Sequence, residues 1–439
     1  MIHASTVATP DTGDTAWLLT SAALVLLMVP GLALFYGGMV RVKSVLNMMM
    51  MVFGALAVVM VVWLLLGYSL AFGHDLGHGL IGDPTQYAGF SSLVDAQDGA
   101  AYEEMVFAAF QGLFAAITVG LIAGAIADRA RFGTWMVFSG LWTLLVYAPV
   151  AHWIFYLGDS SHAGGWLVDK VGALDFAGGT AVEINSGAAG FAAAIVLGKR
   201  IGFGKDPMKP HNLTLTMIGA GLLWFGWFGF NAGSALAANH TAAIVFVNTL
   251  MAGCAGLLAW SLVERVRDGH ATSFGAASGV VAGLVAITPS CGSVSPIGAT
   301  LVGTVAGAVC AVAVGWKHHF GYDDSLDVVG VHLVGGLVGM TLIGLLANAD
   351  VVGVDGLFYG GGLDQLWRQV VAALVTFAFS GLMTAALVRI LDTTMGFRVH
   401  ADDESLGVDL VIHAEAAYDL HPTGGARPHL GPGSGTLHF

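Results

Sequence analysis

The chain has 439 residues, of which 56% are hydrophobic and 10% charged. That excludes an ordinary soluble domain and points to a protein that crosses a membrane many times. With 16 basic against 29 acidic residues the net charge is −13, so there is no basic footprint and no nucleic-acid partner is expected.

Stretches of roughly 18 to 25 apolar residues predict eleven transmembrane helices, near 16–40, 45–72, 104–127, 133–156, 178–198, 213–238, 242–263, 272–289, 294–316, 327–348 and 366–392. The first 15 residues have no positively charged n-region, so no cleavable signal peptide is expected. An odd number of spans puts the termini on opposite faces. If the N-terminus is outside, 14 of the 16 Lys and Arg residues fall on the cytoplasmic side, leaving only Lys170 and Arg368 outside. The positive-inside rule therefore predicts N-out/C-in. The sequence reads as an all-α polytopic membrane protein with an outer segment over 1–15, a transmembrane domain over 16–395 and a cytosolic tail over 396–439.

The first outer loop holds His74-x-x-x-His78, read as solvated rather than ligating. Phe114 in the third span and Phe155 at the outer end of the fourth are aromatics able to line an outer vestibule. The fifth span carries Glu183 in an otherwise apolar or small run from Gly178 to Leu197. An ionisable group at that depth is costly and marks a candidate ion or proton pathway. Asp175 stands eight residues earlier, where it caps the helix start. Between the fifth and sixth spans, Gly202-Phe-Gly-Lys205 lacks nucleotide-binding spacing. In the sixth span Phe230 is followed one turn later by Ser234, an oxygen acceptor. The cysteines Cys254, Cys291 and Cys310 lack CxxC or Cys/His ligand spacing, so neither a disulfide framework nor a metal site is expected.

The tenth span opens on Asp327 and places His332 one to two turns inward, roughly 7 Å at the helical rise. Glu183 lies roughly 12 Å inward of Asp175 by the same rise. The two side chains thus approach the midplane from opposite ends and form a candidate pair that is either Glu–H with His or Glu⁻ with His⁺. Phe35-Tyr36-Gly37-Gly38 in the first span aligns faintly with Phe230-Asn231-Ala232-Gly233 in the sixth. Spans five apart run in opposite directions, which is the pattern of an inverted repeat. After Arg398 the chain turns polar, and His421, His429 and His438 are too irregularly spaced for a metal site.

At these residues the sequence resembles the ammonium transporter family, Amt/Mep/Rh, and most closely its bacterial Amt branch. The similarity runs from about Leu24 to Tyr418 and rests on the segments beginning at Pro30, Phe110, Leu174, Gly198, Gly226 and Leu326. The resemblance implies ammonium or ammonia as substrate, no cofactor, a homotrimer in the plasma membrane, and an inverted repeat of five plus five helices with an outer eleventh. It also implies stacked phenylalanines at Phe114 and Phe230, ammonium binding near Ser234, a structural role for Asp175, and His332 as the second of two pore histidines. Trp227 and Thr288 match positions near the pore. Two departures stand out: Glu183 replaces the first pore histidine, as in some fungal Mep transporters, and Phe155 replaces an outer-site tryptophan, with Trp153 and Tyr156 beside it. The segment from Arg398 to Tyr418 resembles a regulatory tail at which a PII-type signal protein such as GlnK docks.

The alternatives are a Rh-like neutral ammonia channel and an ammonium sensor. An enzyme is not expected, because GxSxG, HExxH and comparable nucleophile-base patterns are absent from the sequence.

Overall fold

The computed structural model describes residues 10–95, 101–159 and 161–418. Residues 1–9 of the expected outer segment, and the tail histidines His421, His429 and His438, lie outside the described residues. Among those described, eleven helices are long and apolar enough to cross a membrane: α1 Thr12–Met39, α2 Val42–Phe72, α3 Glu104–Ala125, α4 Phe132–Phe155, α5 Gly179–Leu197, α6 Leu213–Gly233, α7 His240–Asp268, α8 Ser273–Ser290, α9 Pro296–Phe320, α10 Val329–Leu346 and α11 Asp364–Thr394. These are the eleven expected spans. All three cysteines are free thiols.

Helix starts follow local chemistry. Asn212, Asn239, Thr272 and Ser295 each accept a backbone N–H from the first turn of α6, α7, α8 and α9, satisfying a donor that the helix itself leaves open. Burial then sorts the helices into layers. The apolar windows of α5 and α8 are 83% buried, whereas those of α2 and α11 are 33% buried. The first pair forms the centre and the second faces outward.

Small residues let the central helices cross closely, as lipid-embedded packing requires. A methyl group on Gly219 of α6 would lie 2.3 Å from the Phe35 nitrogen of α1. One on Gly187 of α5 would lie 2.5 Å from the Leu333 nitrogen of α10. Thus α1 crosses α6 and α5 crosses α10, the same pairing of spans five apart. Both α5 and α10 begin in a π-helical turn, Gly179–Ile184 and Val329–Leu333, a distortion frequent at functional sites.

One end of the bundle is tied by buried ions. Arg200 contacts Asp323 at 2.8 Å and Asp128 at 3.0 Å, and Arg41 contacts Asp128 at 2.9 Å. Arg129, fully buried, donates to Ser325 and to the Asp323 carbonyl. The loops after α1, α3, α5 and α9 therefore share this end. The tail packs on it too: Asp409 accepts the Leu46 and Asn47 amides at 3.0 and 2.8 Å, and Lys43 donates to the Glu404 and Ser405 carbonyls.

Candidate functional site

The site is assembled at the two π-helical turns. Asp175 Oδ1 accepts the Gly178 and Gly179 amides at 2.8 and 2.7 Å, while Oδ2 accepts the Thr180 amide at 2.7 Å and its hydroxyl at 2.5 Å. Gly178 has φ +117°, a backbone state that glycine tolerates best, and this turns three successive N–H groups toward the carboxylate. Burial pushes the Asp175 carboxyl up, opposed by those donors. Its role as a helix cap is the expected one.

The corresponding cap of α10 comes from an aspartate other than the one that opens the span. Asp327 precedes the helix in sequence, but its carboxylate pairs with Lys317 at 2.6 Å. Asp324 does the capping, accepting the Val328 and Val329 amides at 3.1 and 2.7 Å. Asp324 precedes His332 by the same eight residues that separate Asp175 from Glu183.

These two arms bring Glu183 and His332 into contact, with Oε2 and Nδ1 2.7 Å apart. Both side chains are buried. The second carboxylate oxygen of Glu183, Oε1, has no partner among the described residues. The pair borders a chamber of about 10 Å³ lined also by Phe35, Trp227 and Phe230, room for about one water-sized molecule. His332 and Phe35 also border a second chamber of about 10 Å³ that reaches Asp327. From Asp327 the path opens into a vestibule of about 360 Å³ at the end where the ion network lies.

At the other end, the rings of Phe114 and Phe230 stack with centroids 3.8 Å apart and planes within 8°. Such contact leaves no gap between the faces, so the two rings form a closed partition. Phe230 faces the small chamber, and Phe114 faces an outer vestibule of about 270 Å³ that also contains Phe155, Asp175 and Ser234. The Ser234 hydroxyl donates to the Phe230 carbonyl at 2.8 Å, which leaves its oxygen lone pairs to accept.

Trp227 and Thr288 work together. The indole N–H donates to Thr288 Oγ1 at 2.8 Å, and Thr288 in turn donates to the Leu284 carbonyl. Trp227 lines the chamber; Thr288 holds it. Neither neighbour of Phe155 joins the vestibule lining: Trp153 donates its N–H to the Leu80 carbonyl at 2.9 Å and Tyr156 stacks on His152.

Two vestibule residues escaped the sequence reading. Phe107 adds a ring, and Gln111 presents a buried amide oxygen without a partner among the described residues. A lone Gln in an apolar span was the available signal.

A sequence profile of the Ammonium Transporter Family matches residues 16–418. The chain belongs to the ammonium transporter family. An ammonium transporter of Mycobacterium tuberculosis H37Rv is 55% identical over 95% of this chain and 92% of its own length. The solved structure of Saccharomyces cerevisiae Mep2 is 35% identical, with a TM-score of 0.83 over 90% of this chain and 89% of that one. A structure described as a sensor Amt protein is 27% identical, with a TM-score of 0.84 over 92% and 98%. The protein is a multi-pass ammonium transporter, and its helical architecture matches these structures.

Proposed function

We propose that the transporter takes up ammonium by splitting it: ammonium binds in the outer vestibule, loses a proton, and crosses as ammonia while the proton follows the Glu183–His332 pair. The observation that carries this reading is the 2.7 Å contact between those groups, behind a closed phenylalanine pair and beside a chamber of single-molecule size. A bare cation is strongly disfavoured in such an apolar chamber, whereas a neutral molecule is tolerated. Potassium has no proton to lose, so the same wall rejects it.

In the vestibule, ring faces from Phe155, Phe107 and Phe114 attract a small cation, and Ser234 and the Gln111 oxygen supply acceptors. Asp175 holds the entry of α5 and adds negative potential. Within the pore, Glu183 replaces an imidazole in its relay role because both groups accept and donate a proton. The unpaired Oε1 gives the carboxylate a second position from which to exchange it.

The remaining features of this reading rest on particular supports. The concentration of Lys and Arg at the ion-network end supports N-out/C-in topology, and location in the plasma membrane extends the family resemblance. The matched caps, π-helical turns and close crossings of α1 with α6 and α5 with α10 support an inverted five-plus-five repeat, with the outward-facing α11 outside it. Assembly as a homotrimer, and docking of a PII-type protein such as GlnK at the tail, extend the family resemblance. The tail's contacts with the start of α2 and the loop after α5 provide a surface on which such a protein would act. Recovery of no PII-type protein in a pull-down from nitrogen-replete cells would remove that partner.

The decisive test is the current after an ammonium jump on purified protein in liposomes on a solid-supported membrane, with potassium as control. Glu183→Gln keeps the shape but loses the carboxylate, and its ammonium current should fall more than about tenfold, a barrier change above roughly 1.4 kcal/mol. Full current in that variant would sink the relay. Lost current with an intact ammonia-driven pH change would show that the neutral path is separable from the proton path.

A further inference from the structure

Outside the pore, one cluster has the chemistry of a metal site. His74 lies in the loop between α2 and α3, while Asp159 and His162 lie in the loop after α4. One donor atom from each of the three approaches within 4.8 Å of the others. Asp159 Oδ2 is 3.6 Å from His74 Nε2 and 3.0 Å from His162 Nδ1. The two imidazoles stack, with centroids 3.8 Å apart and planes within 10°, so one ring must turn before both in-plane lone pairs can reach one ion. His78, four residues on from His74, is not part of this cluster; its carbonyl accepts from Lys170.

The backbone of the two loops is held before any ligand enters, while the His74, Asp159 and His162 side chains stay partly exposed. Asp159 Oδ1 accepts the Ser161 and His162 amides at 2.6 and 2.8 Å, which anchors one oxygen and leaves Oδ2 facing the rings. The His74 amide donates to Gln86 at 2.6 Å. Across the seam between the loops, His152 contacts Asp75 at 3.4 Å, Trp153 donates to the Leu80 carbonyl and the Trp166 amide donates to the Gly79 carbonyl. Because both loops are already joined, little further ordering is required.

We propose that His74, Asp159 and His162 bind a divalent transition metal ion of the zinc type, which staples the two loops at the rim of the outer vestibule. Zinc takes imidazole nitrogen and carboxylate oxygen at about 2.0–2.2 Å in tetrahedral sites, which sets its donors roughly 3.3 Å apart. The two measured spacings to Asp159 bracket that distance. Imidazole donors suit zinc, copper and nickel, whereas magnesium and calcium favour all-oxygen sites. Three protein ligands leave the fourth position to water. None of the three lines the vestibule, so the ion is a brace at its edge and makes no contact with transported ammonium.

The test is zinc titration by calorimetry of the purified full-length protein, paired with thermal unfolding with and without zinc. The parent should bind one equivalent per chain that is lost in His74→Gln and, separately, in His162→Gln, and excess magnesium or calcium should not compete. Zinc should also raise the parent's melting temperature, as a ligand of the folded state does, and this rise should vanish in both variants. The side chains lie on exposed loops, and unchanged melting without zinc shows that the variants fold. Equal stoichiometry and zinc-induced stabilisation in parent and both variants would assign the binding to other histidines and overturn the site. No binding to the parent would overturn it as well.

Discussion

The two arms of the pore share a plan and differ in their surroundings. Each has an aspartate eight residues before the working group, a π-helical turn and a buried side chain that meets its counterpart. On the outer arm the carboxylate is consumed by four donors from its own turn. On the inner arm Asp324 caps two amides within a charged group, because Asp327 and Lys317 stand beside it. Burial pushes Asp324 up to about 6, raised further by Asp327 and opposed by Lys317. The Asp175 arm is therefore a self-contained cap, while the Asp324 arm is tied to a cluster of charged groups.

Removing each aspartate is the strongest way to break this comparison. Asp175→Ala strands three amides and a hydroxyl, and a buried unsatisfied group costs about 1–3 kcal/mol. The expected loss is on the order of 3 kcal/mol or more, seen as a large drop in the melting temperature of the solubilised protein. Asp324→Ala strands two amides and should cost less. Equal losses would show that the difference in donors does not matter.

The inner cluster adds a dependence on pH. The fold holds the Asp324 carboxyl above its unfolded value of about 3.9. Its contribution to stability is therefore full below that value and is lost as pH rises toward 6. Melting should fall by a few degrees between pH 4.5 and about pH 6.5 in the parent, with a flatter profile in Asp324→Asn. An identical profile in the two proteins would assign the titration to other groups.

Glu183→His makes the two arms carry the same group. The ammonium current should persist and the potassium signal should be no larger than the parent's, because a carboxylate holds a bare cation better than a neutral imidazole does. Greater potassium leak in this variant would reverse that argument.

Much of this was legible in the sequence, for physical reasons that differ by residue. The spans were readable because each is a long apolar run. Glu183 and His332 stood out because charge is rare in such runs, and the helical rise placed both near mid-depth. Asp324 was passed over for Asp327 because adjacency to the helix is visible in a sequence, whereas the loop geometry that selects the capping carboxylate is not. The π-helical turns have no sequence signature. Thr288 reads as one more small polar residue until Trp227 is seen to donate to it. His74 meets Asp159 and His162 across two loops, and no local spacing encodes that contact.

The smallest expected effect belongs to the outer vestibule. Phe155 lines it, but a phenyl ring attracts a cation less than an indole does and has no N–H. Trp153 is nearby, yet its N–H is committed to the Leu80 carbonyl and its ring packs between Trp166 and Phe379, so it does not lend its face to the vestibule. Phe155→Trp should therefore gain about 0.5–1 kcal/mol of cation binding, which lowers the ammonium concentration for half-maximal current roughly two- to fivefold. The maximal current should change little, since the partition and the proton pair lie deeper. Trp153→Phe provides the opposing control: it removes a bond between loops and should lower stability without moving the half-maximal concentration. If Trp153→Phe weakens ammonium binding while Phe155→Trp leaves it unchanged, recruitment depends on the loop seam and not on the ring that faces the vestibule.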